Sequence, residues 1–298
     1  MRYFSPVIAR VKETNGSKGD HASISSEDFV VISVEGAGLE AGQRVLDLTS
    51  PLAMAGISIF FITTYFSDYI LVPSRSRGQV IRALEERGFA FEKSAEAYVN
   101  VAAHHRNASS SSSFEINPPL TPPPTTISEL QARTLSLLKR RNIVPEVHRH
   151  LHLVQCAGRR DSPGSHSSHD LELQIGLTKS LVHPPRFLSL TLTESEPASL
   201  LLQKSTLSNF SSNDVLLGSK EDILIPITLN LEPLPFGATG IVCGVAGKLV
   251  GGTSGELTEP VDMRYLSTAK TGTVIVDEKD LERAVEALRS GDYGLEIS

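Results

Sequence analysis

Three histidines at alternating positions are the residues in this sequence best suited to bind a metal. His148, His150 and His152 would lie on one face of a β-strand, and imidazole nitrogen is a common zinc ligand. A zinc site also needs an acidic or cysteine partner, and we find none at a spacing that fits. We therefore interpret the three histidines as a partly exposed strand edge and predict no metal site.

Motifs for catalysis are equally incomplete. Gly247-Lys248 lacks the earlier glycine and the following serine or threonine of a phosphate-binding loop. No Gly-x-Ser-x-Gly sequence is present to position a nucleophilic serine. Cys243 lies in an apolar run, which is typical of a buried thiol. These features predict a protein without catalytic residues or a cofactor, and hence not an enzyme.

The segment from Ile57 to Gly88 has the clearest order of structural elements. An apolar, β-branched run is followed by a polar corner at Tyr65 to Asp68, a second short apolar run and an amphipathic helix after Pro73. Two antiparallel strands and one helix cannot bury their own apolar face, so this unit needs a partner.

A second copy of the unit lies 204 positions further along the chain. A shift of 204 positions, without a gap, places identical residues on one another: Thr64 on Thr268, Val72 on Val276 and Leu84 on Leu288. The same shift places the polar corner after Thr64 on the polar corner after Thr268. Fixed-period similarity of this kind indicates a repeated structural module.

The strand-like Phe29 to Val34 and a helix over Gln43 to Ala55 precede the first unit, and Phe89 to Phe91 follows it. The resulting order is β-α-β-β-α-β, which is ferredoxin-like. Asp222 to Leu231 and a helix starting at Gly240 precede the second copy in the same way. We therefore predict an α+β protein built from tandem ferredoxin-like modules.

The composition of the remaining segments suggests further boundaries. Serine and proline runs predict a disordered linker, and the apolar region after it, with a short helix at Leu200 to Phe210, predicts a divergent module. The expected divisions are a remnant of a first module at 1–27, a module at 28–92, the linker at 93–142, the divergent module at 143–215 and a module at 216–298.

Charge and cysteine content narrow the class of protein. The 298 residues carry a formal net charge of −6, which argues against a nucleic-acid-binding protein with a basic face. Two cysteines do not form a disulfide framework, and no apolar run is long enough to cross a membrane. We expect a cytoplasmic protein that contacts neither nucleic acid nor membrane.

Two modules placed side by side offer a binding site at their seam, which is the boundary between them. The free N–H groups at a helix start, here at Phe236 to Val242, can hold a carboxylate. The strand residues Ser58 and Ile59, or the corner Thr268 to Gly272, can hold an ammonium group on the opposite side. A free amino acid carries both groups. The alternative is that these residues pack together without a ligand.

These segments resemble a known family. Gly56 to Val72 is similar to the second ACT module of the CASTOR cytosolic arginine sensors and their fungal relatives. Gly240 to Gly247, with Tyr265-Leu-Ser-Thr, is similar to the fourth module, and Pro185 to Leu192 to the third. The resemblance implies tandem ACT modules, an amino-acid ligand and a first module largely lost at the N-terminus. Related ACT modules also regulate aspartate kinases.

The resemblance also implies a set of ligand-binding residues on both sides of the seam. They are Ser58, Ile59, Pro235, Ile241, Val242, Thr268, Ala269, Lys270, Thr271 and Gly272. The arginine sensors have an aspartate in place of Gly272 and aromatic residues in place of Ala269 and Thr271. Because Lys270 adds a positive charge, these departures disfavour arginine, and a neutral or acidic amino acid is an equally good candidate for the ligand.

Tyr65 and Asp68 match the family surface that engages a GATOR-type complex of the TOR growth pathway. An ordinary turn, in which Asp68 accepts backbone hydrogen bonds, is the alternative. The resemblance thus implies a nutrient-signalling sensor, and a homodimer is compatible with it. A ligand-free interaction protein with degenerate ACT modules and a regulatory relative of aspartate kinase remain as alternative functions.

Overall fold

A computed structural model describes residues 27–35, 41–91, 124–159, 168–211, 214–235, 237–251, 259–289 and 296–297. The first module contains β1 (Phe29–Glu35), α1 (Ala41–Met54), β2 (Phe60–Thr63), β3 (Ser67–Pro73) and α2 (Arg77–Glu85). Val45, Leu48 and Leu52 are fully buried at helical spacing on α1, which explains why this helix packs against the sheet.

The second copy of the repeat has the same elements. It consists of β9 (Leu224–Asn230), α5 (Ile241–Leu249), β10 (Met263–Ser267), β11 (Thr271–Asp277) and α6 (Leu281–Arg289). The limits of β3 and α2 coincide with those of β11 and α6 when the numbering is shifted by 204 positions. The predicted repeat of strand, corner, strand and helix is confirmed.

The two modules join through equivalent strands to form one continuous sheet. Strand β2 pairs antiparallel with β10, where Leu266 is opposite Ile62. The Phe61 N–H donates to Ser267 Oγ at 3.0 Å, and the Tyr265 N–H donates to Thr63 Oγ1 at 3.1 Å. Adding 204 to the donor number of the first bond and subtracting 204 from its acceptor number gives the second bond, so the seam has an approximate two-fold axis.

Helices α1 and α5 cover one face of the joined sheet and pack against each other. The Ser50 hydroxyl and the Cys243 thiol lie 3.5 Å apart where the helices meet. Both side chains are buried. The module boundary is therefore part of a shared core, which Phe61, Tyr265, Val45 and Val245 also enter.

The third region adds α3 (Ile127–Arg140), β4 (Glu146–Val147), β5 (Leu153–Gly158), α4 (Ser168–Val182), β6 (Leu188–Thr191), β7 (Ser199–Gln203) and β8 (Leu216–Leu217). Its strands lie in the order β8-β5-β7-β6, the spatial order of a ferredoxin-like module. Strand β5 extends the common sheet by pairing with β9, where Leu153 is opposite Leu224.

The predicted linker was wrong over its last part, because α3 lies within it. Thr126 caps this helix by accepting a hydrogen bond from the Glu129 N–H at 3.1 Å, and Leu130, Thr134 and Leu138 form its buried face. Leu130, Thr134 and Leu138 are spaced as on one face of a helix. The prediction missed this pattern because it extended the linker from the serine- and proline-rich segment that precedes it. The rest of the linker, and the remnant expected before residue 27, lie outside the described residues.

Three smaller expectations also differ from the structure. Phe89 to Phe91 forms no strand, so no strand follows α2 within the described part of the first module. The segment Leu200 to Phe210 is not an α-helix: it starts in β7, where consecutive leucines are buried on both faces, and continues as a 3-10 turn. The segment His148 to His152 lies between β4 and β5 and includes a turn, so its histidines do not share a strand face.

Strand β12 (Glu296–Ile297) pairs in parallel with β4, which in turn lies beside β9. Among the helices in the described ranges, none is long and apolar enough to span a bilayer.

Candidate functional site

A cavity of about 290 Å³ opens at the seam between the two modules. Its walls are the start of α5 on one side, the segment Ile57 to Phe60 that leads into β2 on another, and the β10–β11 corner on the third. The size is near the lower end of the range for small-molecule pockets, which are usually concave and mostly apolar. The cavity is thus suited to a small ligand.

Most of the residues predicted from the resemblance meet in this cavity. Nine of the ten line its wall: Ser58, Ile59, Pro235, Ile241, Val242, Thr268, Ala269, Lys270 and Thr271. Gly272 is buried directly beyond the corner and is not part of the wall. Residues from opposite modules, more than 170 positions apart in sequence, therefore share one surface.

The start of α5 presents hydrogen-bond donors to the cavity. Gly240 has a left-handed backbone with φ of 83°, and no side chain caps the helix. The first backbone bond of the helix runs from the Gly244 N–H to the Gly240 carbonyl at 2.8 Å. The N–H groups of Ile241, Val242 and Cys243 precede that bond and have no acceptor within the helix. Together with the helix dipole, they favour an anion.

The equivalent position on the other side of the approximate two-fold axis contains a carboxylate of the protein itself. Asp262 Oδ1 accepts a hydrogen bond from the Gly42 N–H, near the start of α1, at 3.1 Å. Shifting the numbering by 204 positions places Asp262 on Ser58. A Cβ atom on Gly42 would meet Val250 and the Val261 carbonyl at 3.1 Å, so this side is tightly packed. A side chain of the protein therefore occupies the space at the start of α1, whereas the start of α5 faces a cavity.

The charged groups at the cavity mouth are largely compensated. Lys270 Nζ lies 2.9 Å from Glu232 Oε1, and both side chains are exposed. Its hydrogen bond with Glu232 raises the pKa of Lys270, and the same bond lowers the pKa of Glu232. The positive charge that Lys270 adds to the seam is therefore paired with a carboxylate. Because Glu27 also contributes to the wall, the lining has no excess of positive charge.

Position 272 can hold only a glycine because the Tyr265 side chain lies directly against it. A Cβ atom at Gly272 would lie 2.2 Å from the Tyr265 hydroxyl oxygen, so the tyrosine occupies the space of any larger side chain there. Tyr265 is 1% exposed, and burial raises its pKa well above the ordinary value. The cavity accordingly has no carboxylate at this corner to pair with a guanidinium group.

Several wall residues were not predicted from the sequence. Helix α1 contributes Thr49 and Ala53, and the segment between β9 and α5 contributes Glu232, Leu234 and Thr239. Their types give no signal by themselves, since only the packing of α1 beside α5 brings them to the seam. Helix α3 was also missed, although its Thr134 lies against Gly240 at the cavity. The Thr126 and Glu129 capping pattern would have located that helix.

The two residues expected to contact a partner differ in accessibility. Tyr65 is 37% exposed, and its ring packs edge-on against that of Phe66, which is 41% exposed, with centroids 4.9 Å apart. Asp68 is fully buried and its Oδ2 lies 2.6 Å from Arg44 Nε. Burial raises the pKa of Asp68, and the hydrogen bond from Arg44 opposes that rise. Asp68 therefore belongs to the core of the module and cannot contact a partner.

The corner that presents Tyr65 is held by the third region. The Tyr65 N–H donates to Ser199 Oγ at 2.9 Å, and Gln155 Nε2 donates to the Thr64 carbonyl at 2.8 Å. The exposed aromatic pair thus lies at the boundary between the first module and β5 and β7.

The described residues contain no group of three or more histidine, cysteine or acidic side chains arranged to hold a metal. His148 instead lies 2.8 Å from the Thr228 hydroxyl through Nε2, while His150 and His152 are exposed. Burial raises the pKa of Cys243, which lines the cavity, and raises that of Cys156 to about 11. Thiols in such surroundings are poor nucleophiles.

Comparison with known proteins identifies the two modules. The sequence model of the ACT domain matches residues 24–86 and 219–290. No curated protein sequence matches the chain.

Solved structures that match the chain include three bacterial proteins. A protein of Agrobacterium tumefaciens is 16% identical, with 52% of this chain and 93% of that chain covered and a TM-score of 0.34. A Vibrio cholerae protein of unknown function, described as a possible transport protein, is 16% identical, with 53% and 94% covered and a TM-score of 0.34. An aspartate kinase from Synechocystis is 12% identical, with 88% and 39% covered and a TM-score of 0.32.

ACT modules are typically regulatory and bind amino acids. The order of elements, the paired strands β2 and β10 and the matched sequence segments agree with one another. Residues 24–86 and 219–290 of this chain are therefore a tandem pair of ACT domains.

Proposed function

We propose that this protein is a non-enzymatic sensor that binds one free, neutral amino acid in the cavity at the seam of its ACT modules. The observation that carries the proposal is the difference between the two helix starts. Asp262 supplies a carboxylate to the start of α1, whereas the start of α5 faces a cavity beside Ser58. The ligand carboxylate takes the place at α5 that Asp262 takes at α1.

The N–H groups of Ile241 to Cys243 hold that carboxylate, because a helix N-terminus favours negative charge. The ligand ammonium group lies toward the opposite wall, where the hydroxyl oxygens of Ser58 and Thr268 supply acceptors. This orientation uses both modules at once. Binding therefore stabilises the contact between them.

The wall favours a neutral side chain. The cavity wall combines the hydroxyl-bearing residues Thr49, Ser58, Thr239, Ser267 and Thr271 with apolar residues. Lys270 is already paired with Glu232, so an acidic side chain has no free cation to meet. Because Tyr265 fills the corner at Gly272, a guanidinium group has no carboxylate there either. A small apolar or hydroxylated amino acid fits this lining best.

The response to the ligand is the presentation of a protein-binding surface at the β2–β3 corner. Tyr65 and Phe66 are exposed there and lie at one end of β2, whose other end enters the cavity wall at Phe60. Exposed aromatic residues on a rigid frame often anchor protein partners. The resemblance to the CASTOR sensors supports a GATOR-type complex of the TOR pathway as the partner, with cytoplasmic nutrient sensing as the role.

A thermal-shift screen of the twenty amino acids with the full chain tests the ligand proposal. A ligand that binds only the folded state stabilises it by about 2.7 kcal/mol at a hundredfold excess over Kd. We expect a shift with one or a few neutral amino acids and with neither arginine nor the acidic ones. Isothermal titration calorimetry of the best candidate should give one site per chain.

Ser58→Ala should weaken the shift, because this side chain lines the cavity. Ser33→Ala is the matched control, since Ser33 is exposed on β1 and does not contribute to the wall. A screen with no shift for any amino acid would contradict the sensor proposal and favour a ligand-free interaction protein. A shift that survives in both variants would place the ligand elsewhere.

A further inference from the structure

Tyr265 is a buried residue of the cavity wall whose hydroxyl group lacks a partner. The side chain lines the cavity at the seam and is 1% exposed. Its backbone N–H donates to Thr63, but its hydroxyl makes no hydrogen bond to any residue that the structure describes. Burial raises the pKa of Tyr265, and no hydrogen bond contributes to that rise. Because most buried polar side-chain atoms are hydrogen-bonded, this hydroxyl requires an explanation.

The hydroxyl lies at the corner between β10 and β11. A Cβ atom on Gly272 would be 2.2 Å from the tyrosine oxygen and 3.5 Å from Leu231 Cδ1. Leu231 and Thr271, which precedes Gly272, both line the cavity. The tyrosine oxygen is therefore placed beside wall residues of this corner.

The equivalent residue of the first module has no hydroxyl group. A shift of 204 positions places Phe61 on Tyr265 and Asp68 on Gly272. Phe61 is fully buried and belongs to the same core as Tyr265. A phenyl ring thus meets the packing need at this place in an ACT module. The additional hydroxyl occurs in the module whose helix start faces the cavity.

Other hydroxyl groups of the wall are already engaged within the protein. Thr49 donates to the Val45 carbonyl at 2.7 Å, and the hydroxyl oxygens of Thr268 and Thr271 are hydrogen-bonded to each other at 2.6 Å. Ser267 Oγ accepts the N–H of Phe61. The hydroxyl of Tyr265, in contrast, keeps its full capacity to donate and accept, and a ligand in the cavity can use it.

We propose that Tyr265 determines the specificity of the cavity by forming a hydrogen bond with a hydroxyl group on the side chain of the bound amino acid. This inference rests on the proposed function and narrows its ligand class to hydroxylated amino acids. A phenol and an aliphatic hydroxyl each donate and accept, so they pair in either direction. An apolar side chain of the same size leaves the tyrosine hydroxyl buried and unpaired, which weakens its binding.

Isothermal titration calorimetry on the full chain tests the role of Tyr265 with two matched pairs of ligands. Threonine and valine have nearly the same shape, and serine differs from alanine by its hydroxyl alone. In the wild type we expect the hydroxylated member of the better-binding pair to bind about tenfold more tightly, or more. In Tyr265→Phe the two members should bind with about equal affinity. The ligand-free variant should melt no lower than the wild type, because it loses an unpaired buried hydroxyl.

Tyr69→Phe is the matched control. Tyr69 is 7% exposed and its hydroxyl also lacks a partner among the described residues, but it does not line the cavity. The control should keep the wild-type preference. A wild type that binds apolar amino acids as tightly as hydroxylated ones, or a preference that survives in Tyr265→Phe, would overturn this inference alone. Failure of all twenty amino acids to bind would overturn the proposed function together with it.

Discussion

The carboxylate of Asp262 accepts a hydrogen bond from the backbone N–H of Gly42 across the module seam, at 3.1 Å. This contact joins the strand side of one ACT module to the helix start of the other. Its counterpart, between Ser58 and the start of α5, contains a cavity instead of a carboxylate. The two modules therefore differ at the helix start: the start of α1 is bonded to a carboxylate of the protein, and the start of α5 faces a cavity that a ligand could fill.

Ser58→Asp should close the open half of the seam. The new carboxylate is expected to cap α5 as Asp262 caps α1, and such caps contribute about 0.5–2 kcal/mol. The melting temperature of the ligand-free protein should rise, and the shift caused by the amino acid should disappear. Differential scanning calorimetry with and without the ligand measures both effects.

Ser74→Asp serves as the control, because Ser74 is exposed and lies outside the cavity wall. An amino-acid shift that remains in Ser58→Asp would show that the ligand carboxylate does not bind at α5.

Arg44→Met should destabilise the protein strongly at neutral pH. Asp68 is fully buried and Arg44 is its partner at 2.6 Å, so the substitution leaves an uncompensated buried charge. The expected loss is about 3–5 kcal/mol in the free energy of unfolding, measured by urea denaturation. Adding Asp68→Asn should restore part of this stability, since the remaining side chain is neutral.

The same variant should have a distinctive pH dependence. Burial already raises the pKa of Asp68 in the wild type, and loss of Arg44 raises it further. A raised folded-state pKa costs stability above that pKa and costs nothing below the unfolded value of about 3.9. The deficit of Arg44→Met relative to the wild type should shrink as the pH falls toward 4. A deficit that stays constant with pH would argue against a buried charged Asp68.

Gly244→Ala should destabilise the protein although alanine favours helices. The new Cβ would lie 2.8 Å from Thr134 Cγ2, where α3 packs closely onto α5. Overpacking of this kind costs about 1–3 kcal/mol, which we expect as a lower midpoint in chemical denaturation. Thr134→Ser removes the methyl group and should restore part of the loss.

Gly78→Ala is the comparison for that experiment. A Cβ atom on Gly78, which lies in α2, would project into open space with no neighbouring atom within 4 Å. Alanine should therefore stabilise the protein by up to about 1 kcal/mol. Equal effects of the two substitutions would show that α3 does not pack against Gly244.

Cys156 and Cys243 should resist alkylation in the folded protein. Both are buried, and the pKa of Cys156 is raised to about 11, so almost no thiolate exists at neutral pH. Relative to an unperturbed thiol of pKa about 8.5, the reaction with iodoacetamide should be at least about a hundredfold slower. Mass spectrometry of the native and urea-unfolded protein measures the rates, and rapid native labelling would contradict the prediction.

These thiols also predict a loss of stability at alkaline pH. Because the folded-state pKa values are raised, the unfolded chain releases its thiol protons first. Stability should therefore decline as the pH rises through about 8.5, and replacing Cys156 with alanine should remove part of that slope.

The repeat and the elements within it could be predicted from the amino-acid sequence. The corner at Thr64 and the corner at Thr268 have the same spacing to the strand and helix that follow, because local hydrophobic periodicity and turn chemistry depend on neighbouring residues. For the same reason, the capping residues Thr126 and Glu129 could have revealed α3.

The asymmetry of the seam, in contrast, emerges only when the chain is folded. Nothing local to Ser58 or Asp262 indicates that one faces a cavity and the other caps a helix, since the partner groups lie about 180 and 220 positions away. The burial of Asp68 likewise follows from the position of Arg44 on a packed helix. Electrostatic and packing roles are set by groups distant in sequence, so they depend on how the modules and helices pack together.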